Sequence, residues 1–309
     1  MTKGIDLSIV VALISGNTSD LDRCLRSLVT QTFEGSLEII VPYDPPCAHV
    51  CSLQEDYPTV RFHAADHLNT ALARQGAARE HHDALRTIGI RAAKGTIVAL
   101  TEDHAVALEG WCRQMVSLLE ENEAVAAVGG AVDCRAKRCL QQAVYLCDFG
   151  RYQNPLREGV AEFVSDSNVF YRASALRSVE DAWRDDYHET LVHDALTAGP
   201  CEIWLTPRTT VLQERTQLTM GMACRERFVW ARSYAGTRVS VMNTQRRLIM
   251  IVLSFLLPSL MTLRLYKGLM ERDRLSVRTI TLLPLILLLQ TFWGLGEFVG
   301  YVTGRESNS

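Results

Sequence analysis

Apolar and polar residues alternate along the first hundred positions in a way that predicts strands and helices in turn. Residues 7–14 form a continuous apolar run, which is typical of a strand covered on both faces. Residues 21–28 then carry apolar side chains at helical spacing, behind a predicted capping box of Ser19 and Asp22. Further strands are predicted at 37–41, 60–63 and 96–100, and a further helix at 82–93. This order of elements predicts an α/β fold with a mostly parallel sheet.

The pattern after residue 110 predicts shorter elements. Helices are predicted at 111–119, 173–179, 189–198 and 220–238, and strands at 125–128, 168–171, 203–205 and 210–212. Residues 133–162 show no clear periodicity, so loops and edge structure are expected there. Residues 1–240 are predicted to form one domain.

Two long apolar segments follow Arg246 and Arg247. Residues 248–263 are an uncharged run of 16 residues that contains Pro258, and residues 280–302 are a run of 23 residues with Glu297 as its one charge. A straight membrane span needs about 20 residues, so the second segment is long enough to cross and the first is marginal. Residues 241–309 are therefore predicted to anchor the chain to a membrane; buried core helices are the alternative.

The loop between these segments indicates how they meet the membrane. It carries five cations against two anions, namely Arg264, Lys267, Arg272, Arg274 and Arg278 against Glu271 and Asp273. Basic loops prefer the cytosolic side. The first segment is therefore expected to bend at Pro258 and to lie in or re-enter one leaflet, so that only the second would cross.

Composition narrows the class of protein further. The formal net charge of −3 argues against a nucleic-acid-binding protein, whose domains carry a basic excess. The nine cysteines include no CxxC pair, which indicates a reduced domain that faces the cytosol. The expected location is the inner, cytoplasmic membrane with residues 1–240 in the cytosol.

Three segments carry a family resemblance, in order along the chain. The first is LSIVVALISGNTSDLDRCLRSLVTQTFEGSLEIIV at 7–41, the second is RTIGI at 86–90 followed by Ala93 and Gly95, and the third is TEDHAVALEGW at 101–111. Together they resemble the family 2 glycosyltransferases, over about residues 7–240. The resemblance implies the GT-A fold, a sandwich around a mostly parallel sheet, and an inverting, hexosyltransferase-type enzyme.

The segment after the strand at 96–100 is where the family carries its D-x-D metal motif. Here Glu102 and His104 fall on the two acidic positions, with Asp103 between them. A divalent cation is needed to neutralise the nucleotide diphosphate as it leaves, and this ligand set suits Mn²⁺ or Mg²⁺. Whether Asp103 or His104 is the metal ligand is left open, and a charged turn after a buried strand is the alternative.

The resemblance nominates two further residues for donor binding. Asp44 follows the second strand, where the family has an acidic residue near the nucleotide base or ribose. Arg86 corresponds to an arginine that contacts the diphosphate in relatives. A turn that ends the strand and an exposed helix arginine are the alternatives.

An inverting transfer also needs a base to remove the proton of the acceptor hydroxyl. A dense polar cluster at 185–194 lies in the expected part of the chain. Glu189 is the first candidate, because its context best matches the family's E-D-x-x-L run, and Asp186 is the second. The start of an exposed charged helix is the alternative for both.

These features predict a membrane-associated enzyme of polysaccharide biosynthesis that moves one sugar from a nucleotide-sugar, with UDP expected from the resemblance, to a lipid-linked or glycan acceptor. The altered segments E-D-H and CRERF at 224–228 leave a second possibility, an inactive membrane-bound scaffold for glycan assembly. A nucleotidyltransferase is less well supported, since no basic glycine-rich loop follows the first strand. A Rossmann dehydrogenase is disfavoured by the absence of G-x-G-x-x-G there.

Overall fold

The computed structural model describes residues 4–66, 68, 79–239 and 242–304 of the 309-residue chain. The strands are β1 Leu7–Ala12, β2 Leu37–Tyr43, β3 Val60–Ala64, β4 Ile97–Glu102, β5 Ala105–Ala107, β6 Val125–Cys134, β7 Gly159–Val160, β8 Asn168–Arg172 and β9 Glu202–Gln213. The helices are α1 Thr18–Val29, α2 Arg79–Ala92, α3 Trp111–Glu121, α4 Cys139–Phe149, α5 Ala173–Ser178, α6 Glu189–Thr197, α7 Met220–Val239, α8 Thr244–Leu253, α9 Leu257–Glu271, α10 Val277–Thr281 and α11 Leu283–Thr303. A 3₁₀ segment spans Pro45–Gln54.

One mixed sheet organises the N-terminal part of the chain. Its strand order is β3-β2-β1-β4-β8-β6-β9-β5, and β7 pairs with β9. The strands β3, β2, β1 and β4 are mutually parallel, and β8 lies antiparallel between β4 and β6. The prediction of an α/β fold with parallel strands over the first hundred residues is confirmed.

Burial along β1 and α1 follows the predicted pattern. All six residues of β1 are buried, as expected for a strand covered on both faces. The apolar side chains of α1 that were predicted to face the core are buried as well. The predicted capping box is wrong, because the N-cap is Asn17, whose side chain accepts a hydrogen bond from the Asp20 N–H at 3.1 Å.

Two predictions about residues 133–212 are corrected. Residues 133–162, expected to be irregular, contain the helix α4. Its buried residues Ala143–Leu146 are consecutive, so they give no helical periodicity. The two brief strands at 203–205 and 210–212 are one strand, β9, whose pairing with β6 shifts register between Gly129 and Ala131.

The chain forms two compact units. Among the described residues, the first comprises 4–66, 68, 81–135 and 152–216, and the second comprises 79–80, 136–151, 217–239 and 242–304. The first unit contains the sheet. The second contains α4 and the helices from α7 onward, so α7 is grouped with the C-terminal helices. The predicted domain boundary at residue 240 stays a prediction.

Within the second unit, small residues bring α7 and α11 into close contact. A Cβ atom at Gly296 would lie 2.2 Å from the carbonyl oxygen of Phe228, and one at Gly300 would lie 2.3 Å from that of Arg232. Arg227 of α7 is buried, where it pairs with Asp148 and donates to Gln290 Oε1 at 2.9 Å. The buried cation therefore has partners inside the helical unit.

The second unit also contains the two apolar segments. Of the described helices, Leu283–Thr303 is the one long and apolar enough to cross a membrane by itself, and 44% of that stretch is buried within the fold. The first segment is a pair of helices, Thr244–Leu253 and Leu257–Glu271, bent by 72°. The predicted bend is present, and the break lies directly before α9, in which Pro258 occupies the first turn.

Candidate active site

The carboxyl ends of three neighbouring parallel strands define the candidate site. In the sheet, β1 lies between β2 and β4, and Ala12 pairs with Glu102 at the ends of β1 and β4. Asp44 directly follows β2. Open α/β sheets bind ligands at this edge, because the strand ends and the following loops meet there.

Glu102 is buried at the end of β4. Its Oε1 accepts a hydrogen bond from Arg86 Nη2 at 3.0 Å, and its Oε2 accepts one from Gln213 Nε2 at 2.9 Å. Burial raises the pKa of Glu102, while the neighbouring His104 and Arg86 act in the opposite direction. The end of β4 thus places a carboxylate at the site, and Arg86 and Gln213 fix its orientation.

Asp103 holds the loop that follows β1. Its Oδ2 accepts hydrogen bonds from the backbone N–H of Ser15 at 3.0 Å, from the Ser15 hydroxyl at 2.8 Å and from the Gly16 N–H at 2.8 Å. Gly16 has a φ of 58°, a left-handed conformation that glycine adopts readily. Burial acts to raise the pKa of Asp103, but hydrogen bonds from His104 and Ser15 outweigh it and lower the pKa.

His104 completes the predicted E-D-H motif. Its Nδ1 lies 2.9 Å from Asp103 Oδ1, and its Nε2 lies 3.5 Å from Glu102 Oε2. The imidazole ring is therefore oriented by Asp103 while its other nitrogen faces Glu102. Among the residues that the structure describes, no group of three His, Cys, Asp or Glu side chains is arranged to hold a metal ion by itself.

Arg86 is the centre of a buried cluster of carboxylates. Its guanidinium contacts Asp83 Oδ1 at 3.1 Å, Glu102 Oε1 at 3.0 Å and Asp166 Oδ2 at 2.9 Å. Burial acts to lower the pKa of Arg86, but the three carboxylates outweigh it and raise the pKa. The alternative of an exposed helix arginine is thus not what the structure shows, and the predicted contact with a diphosphate stays a prediction.

Asp44 is buried beside the start of α2. Its Oδ2 lies 3.1 Å from His81 Nε2, its Oδ1 is buried without a hydrogen bond from the described residues, and the Cys47 thiol lies beside the same carboxylate. Burial acts to raise the pKa of Asp44, but the hydrogen bond with His81 outweighs it and lowers the pKa. The neighbouring His82 has its pKa lowered to about 4 by burial and by Arg86, and its Nδ1 lies 2.9 Å from the carbonyl oxygen of Leu13.

The start of α6 lies against the same cluster. Glu189 is half-buried in the first turn, and its Oε2 accepts a hydrogen bond from the Asp166 N–H at 3.2 Å. The preceding residue, His188, places its Nδ1 3.0 Å from Asp83 Oδ2. Asp186 is half-buried in the bend before the helix. Glu189 therefore contacts a member of the Arg86 cluster through the Asp166 backbone.

Sequence reasoning missed Asp83 and Gln213. Asp83 is three residues before Arg86 on α2, so helical spacing would have paired the two charges. Gln213 reaches Glu102 from the end of β9, and no local pattern indicates that contact.

Comparison with solved structures defines the class of this fold. The structure is similar to the mannosyltransferase PcManGT from Pyrobaculum calidifontis in complex with GDP-Man and Mn²⁺, with a TM-score of 0.55 and 11% identity over 97% of this chain and 88% of that one. It is similar to S. aureus TarS 1-349 in complex with UDP-GlcNAc, with a TM-score of 0.51 and 11% identity over 96% and 90%. It also matches GalNAc-T7 with UDP, GalNAc and Mn²⁺, at a TM-score of 0.50 and 10% identity; the match covers 78% of this chain and 52% of that one. The fold is thus the predicted GT-A fold.

The sequence places the chain within this class. The model of glycosyl transferase family 2 matches residues 8–179, more than half of the chain. The chain therefore belongs to glycosyl transferase family 2 and is a glycosyltransferase. No curated protein matches it in sequence.

Proposed function

We propose that this glycosyltransferase moves one sugar, with inversion at the anomeric carbon, from a nucleotide-sugar to a lipid-linked or polysaccharide acceptor at the cytoplasmic membrane. The observation that carries the proposal is the pairing of Glu102 Oε2 with His104 Nε2, 3.5 Å apart at the carboxyl edge of the sheet. A diphosphate leaving group needs positive charge in this position.

The ligands offered by Glu102 and His104 fit a metal ion that is also bound by the nucleotide-sugar. Two cis ligands of an octahedral metal with bonds of about 2.1 Å lie about 3 Å apart, close to the separation of these two atoms. Such ions are commonly bound by one or two protein groups plus phosphate oxygens and water. Glu102 and His104 would hold Mn²⁺ or Mg²⁺, with Asp103 holding the His104 ring and the Ser15–Gly16 backbone. The ion supplies positive charge that stabilises the departing diphosphate.

Asp44 is the proposed contact to the nucleotide base. Its Oδ1 is buried without a partner among the described residues, and a buried acceptor left unpaired costs about 1–3 kcal/mol. A ring N–H of uracil or guanine donates a hydrogen bond that would satisfy this oxygen. UDP is the expected donor nucleotide from the family resemblance.

Replacing Asp44 by Asn is expected to weaken nucleotide binding by about 10- to 100-fold, since the lost bond is to a charged acceptor. Calorimetric titration of the detergent-purified chain with UDP, GDP and CMP, in Mn²⁺ and in EDTA, measures this effect. Asp56→Asn is the control, because Asp56 is exposed in the same unit. Equal UDP affinity in Asp44→Asn and the wild type would contradict the assignment, and no binding of any nucleotide by folded protein would favour the inactive scaffold.

The base that receives the acceptor proton is proposed to lie at the start of α6. The sequence nominates Glu189 there, with Asp186 as the second candidate. The contact of Glu189 with the Asp166 backbone supports a fixed position for its carboxylate beside the Arg86 cluster.

The bent pair α8–α9 is proposed to rest on the lipid surface. Nine of its large apolar side chains are exposed, namely Leu248, Ile249, Val252, Leu253, Phe255, Leu256, Leu260, Leu263 and Met270. Exposed cations on the same pair, Arg246, Arg264 and Lys267, complement an anionic leaflet. An apolar face next to basic residues is typical of helices that lie in the membrane interface.

Replacing Val252 and Phe255 together by Ser is expected to reduce binding to vesicles by about 10- to 100-fold, because each buried apolar side chain contributes about 1.5–3 kcal/mol. Flotation with phosphatidylglycerol–phosphatidylcholine vesicles measures the bound fraction. Val160→Ser is a matched control, since Val160 is 65% exposed against 66% for Val252 and 64% for Phe255. Unchanged flotation of the double variant would contradict a lipid contact at α8–α9.

A further inference from the structure

His188 has the surroundings of a proton acceptor. It is buried, with 8% of its surface exposed, at the N-cap of α6. Its Nδ1 lies 3.0 Å from Asp83 Oδ2. Its Nε2 is buried and has no hydrogen-bond partner among the residues that the structure describes.

The contact with Asp83 determines which nitrogen carries the proton in the neutral ring. An ionised carboxylate only accepts hydrogen bonds, so Nδ1 carries the hydrogen and donates it to Asp83. The lone pair of the neutral imidazole is then on Nε2. A carboxylate that fixes the tautomer of a histidine in this way also stabilises the imidazolium formed when Nε2 takes up a proton.

The position of this pair links it to the candidate site. Asp83 uses Oδ2 for His188 and Oδ1 for Arg86, which in turn contacts Glu102. The backbone N–H of Tyr187 also donates to the carbonyl oxygen of Asp83 at 3.3 Å, which fixes the chain just before His188. The side chains of Asp83 and Arg86 therefore connect His188 to Glu102 at the end of β4.

The purely structural explanation of His188 is weaker. An N-cap side chain normally accepts a hydrogen bond from the first turn of its helix, and His188 makes no such bond. A buried nitrogen without a partner is destabilising by about 1–3 kcal/mol unless a ligand supplies the bond. A hydroxyl group is a suitable ligand, because it donates a hydrogen bond that a neutral imidazole nitrogen accepts.

We propose that His188, oriented by Asp83, is the general base that deprotonates the acceptor hydroxyl, an inference that rests on the proposed inverting transfer. In that step the hydroxyl oxygen forms a bond to the anomeric carbon, and the bond from that carbon to the diphosphate oxygen breaks. The diphosphate leaves with the electron pair, and the hydroxyl proton goes to Nε2 of His188. Glu189, whose Oε2 already accepts the Asp166 N–H, then helps to fix the start of α6.

The test compares His188→Gln, Glu189→Gln and His63→Gln in the full-length protein. The readout is release of nucleoside diphosphate from UDP-glucose, UDP-N-acetylglucosamine and GDP-mannose in Mn²⁺, with membrane lipid extract as the source of acceptor, alongside calorimetric affinity for the free nucleotide. His188→Gln is expected to lower kcat by about 10²- to 10⁴-fold, the usual contribution of a general base, with nucleotide affinity unchanged. His63→Gln, a half-buried residue of β3, is expected to match the wild type.

A second variant separates a chemical role from a structural one. His188→Ala removes the ring, and added imidazole is expected to restore part of its turnover, which a merely structural histidine would not allow. Turnover of His188→Gln within threefold of the wild type, or loss of nucleotide affinity in parallel with turnover, overturns the proposal. A wild-type protein that binds nucleotide but releases no diphosphate overturns the proposed transfer itself and this inference with it.

Discussion

Replacing Arg86 by Met is expected to lower the free energy of unfolding of the sheet unit by about 3–5 kcal/mol and to abolish turnover. Breaking a buried ion pair by removing one partner leaves an uncompensated buried charge, and that is the origin of a cost of this size. Here one guanidinium faces the buried Asp83 and Glu102 and the partly buried Asp166, so its removal leaves three carboxylates together without a cation. Arg86 is thus a positioning residue for the ends of β4 and α6.

Urea unfolding followed by tryptophan fluorescence measures this effect. Arg91→Met is the matched control on the same helix, because Arg91 is exposed in the last turn of α2. Arg86→Lys keeps the charge but lacks the planar guanidinium with its several N–H donors, so this variant is expected to be intermediate in stability. An Arg86→Met protein as stable and active as Arg91→Met would show that the cluster contributes nothing.

Asp103→Asn is expected to lower the free energy of unfolding by about 2–3 kcal/mol and nucleotide affinity by about 100-fold. One Asp103 oxygen accepts three hydrogen bonds from Ser15 and Gly16, and bonds to charged acceptors contribute about 1.5–3 kcal/mol. An amide in its place must aim either an N–H group or a single oxygen at the loop after β1. The loop would then lose its fixed conformation at the edge where the nucleotide is proposed to bind.

The same titrations used for Asp44 measure the Asp103 effect, with Ser15→Ala as a graded comparison that removes only the hydroxyl bond. Metal dependence distinguishes the two roles that the sequence leaves open. If Asp103 orients the loop and His104 holds the ion, residual binding by Asp103→Asn still requires Mn²⁺. Binding by Asp103→Asn that has become independent of Mn²⁺ would instead assign Asp103 as a metal ligand.

The local pattern was sufficient for the first half of the sheet. The strands β1, β2 and β4 are short apolar runs, and their parallel order follows from the helices between them. The helix α4 was missed because its buried residues are consecutive, and β9 was divided in two because Pro207 and Arg208 interrupt its apolar run. In both cases tertiary packing determined the element, whereas the local spacing of apolar residues did not indicate it.

The residues of the candidate site were likewise predictable only in part. The resemblance identified Glu102, Asp103, His104, Arg86 and Asp44, and the structure places all five at or beside the carboxyl ends of β2 and β4. Their partners were not predictable, since Asp166 lies just before β8 and Gln213 ends β9, both distant in sequence from these residues. The role of Asp103 in holding the Ser15–Gly16 loop likewise depends on the adjacency of β1 and β4.

The most direct test of the central claim is metal-dependent release of nucleoside diphosphate from a nucleotide-sugar. Purified chain is incubated with UDP-glucose, UDP-N-acetylglucosamine or GDP-mannose and membrane lipid extract, with Mn²⁺ or with EDTA, and the wild type is compared with His104→Ala. Release from one donor is expected to stop in EDTA and to fall at least about 100-fold in His104→Ala, since electrostatic stabilisation of the leaving group is lost. Release that is unaffected by EDTA and by His104→Ala would contradict the proposed metal-assisted transfer.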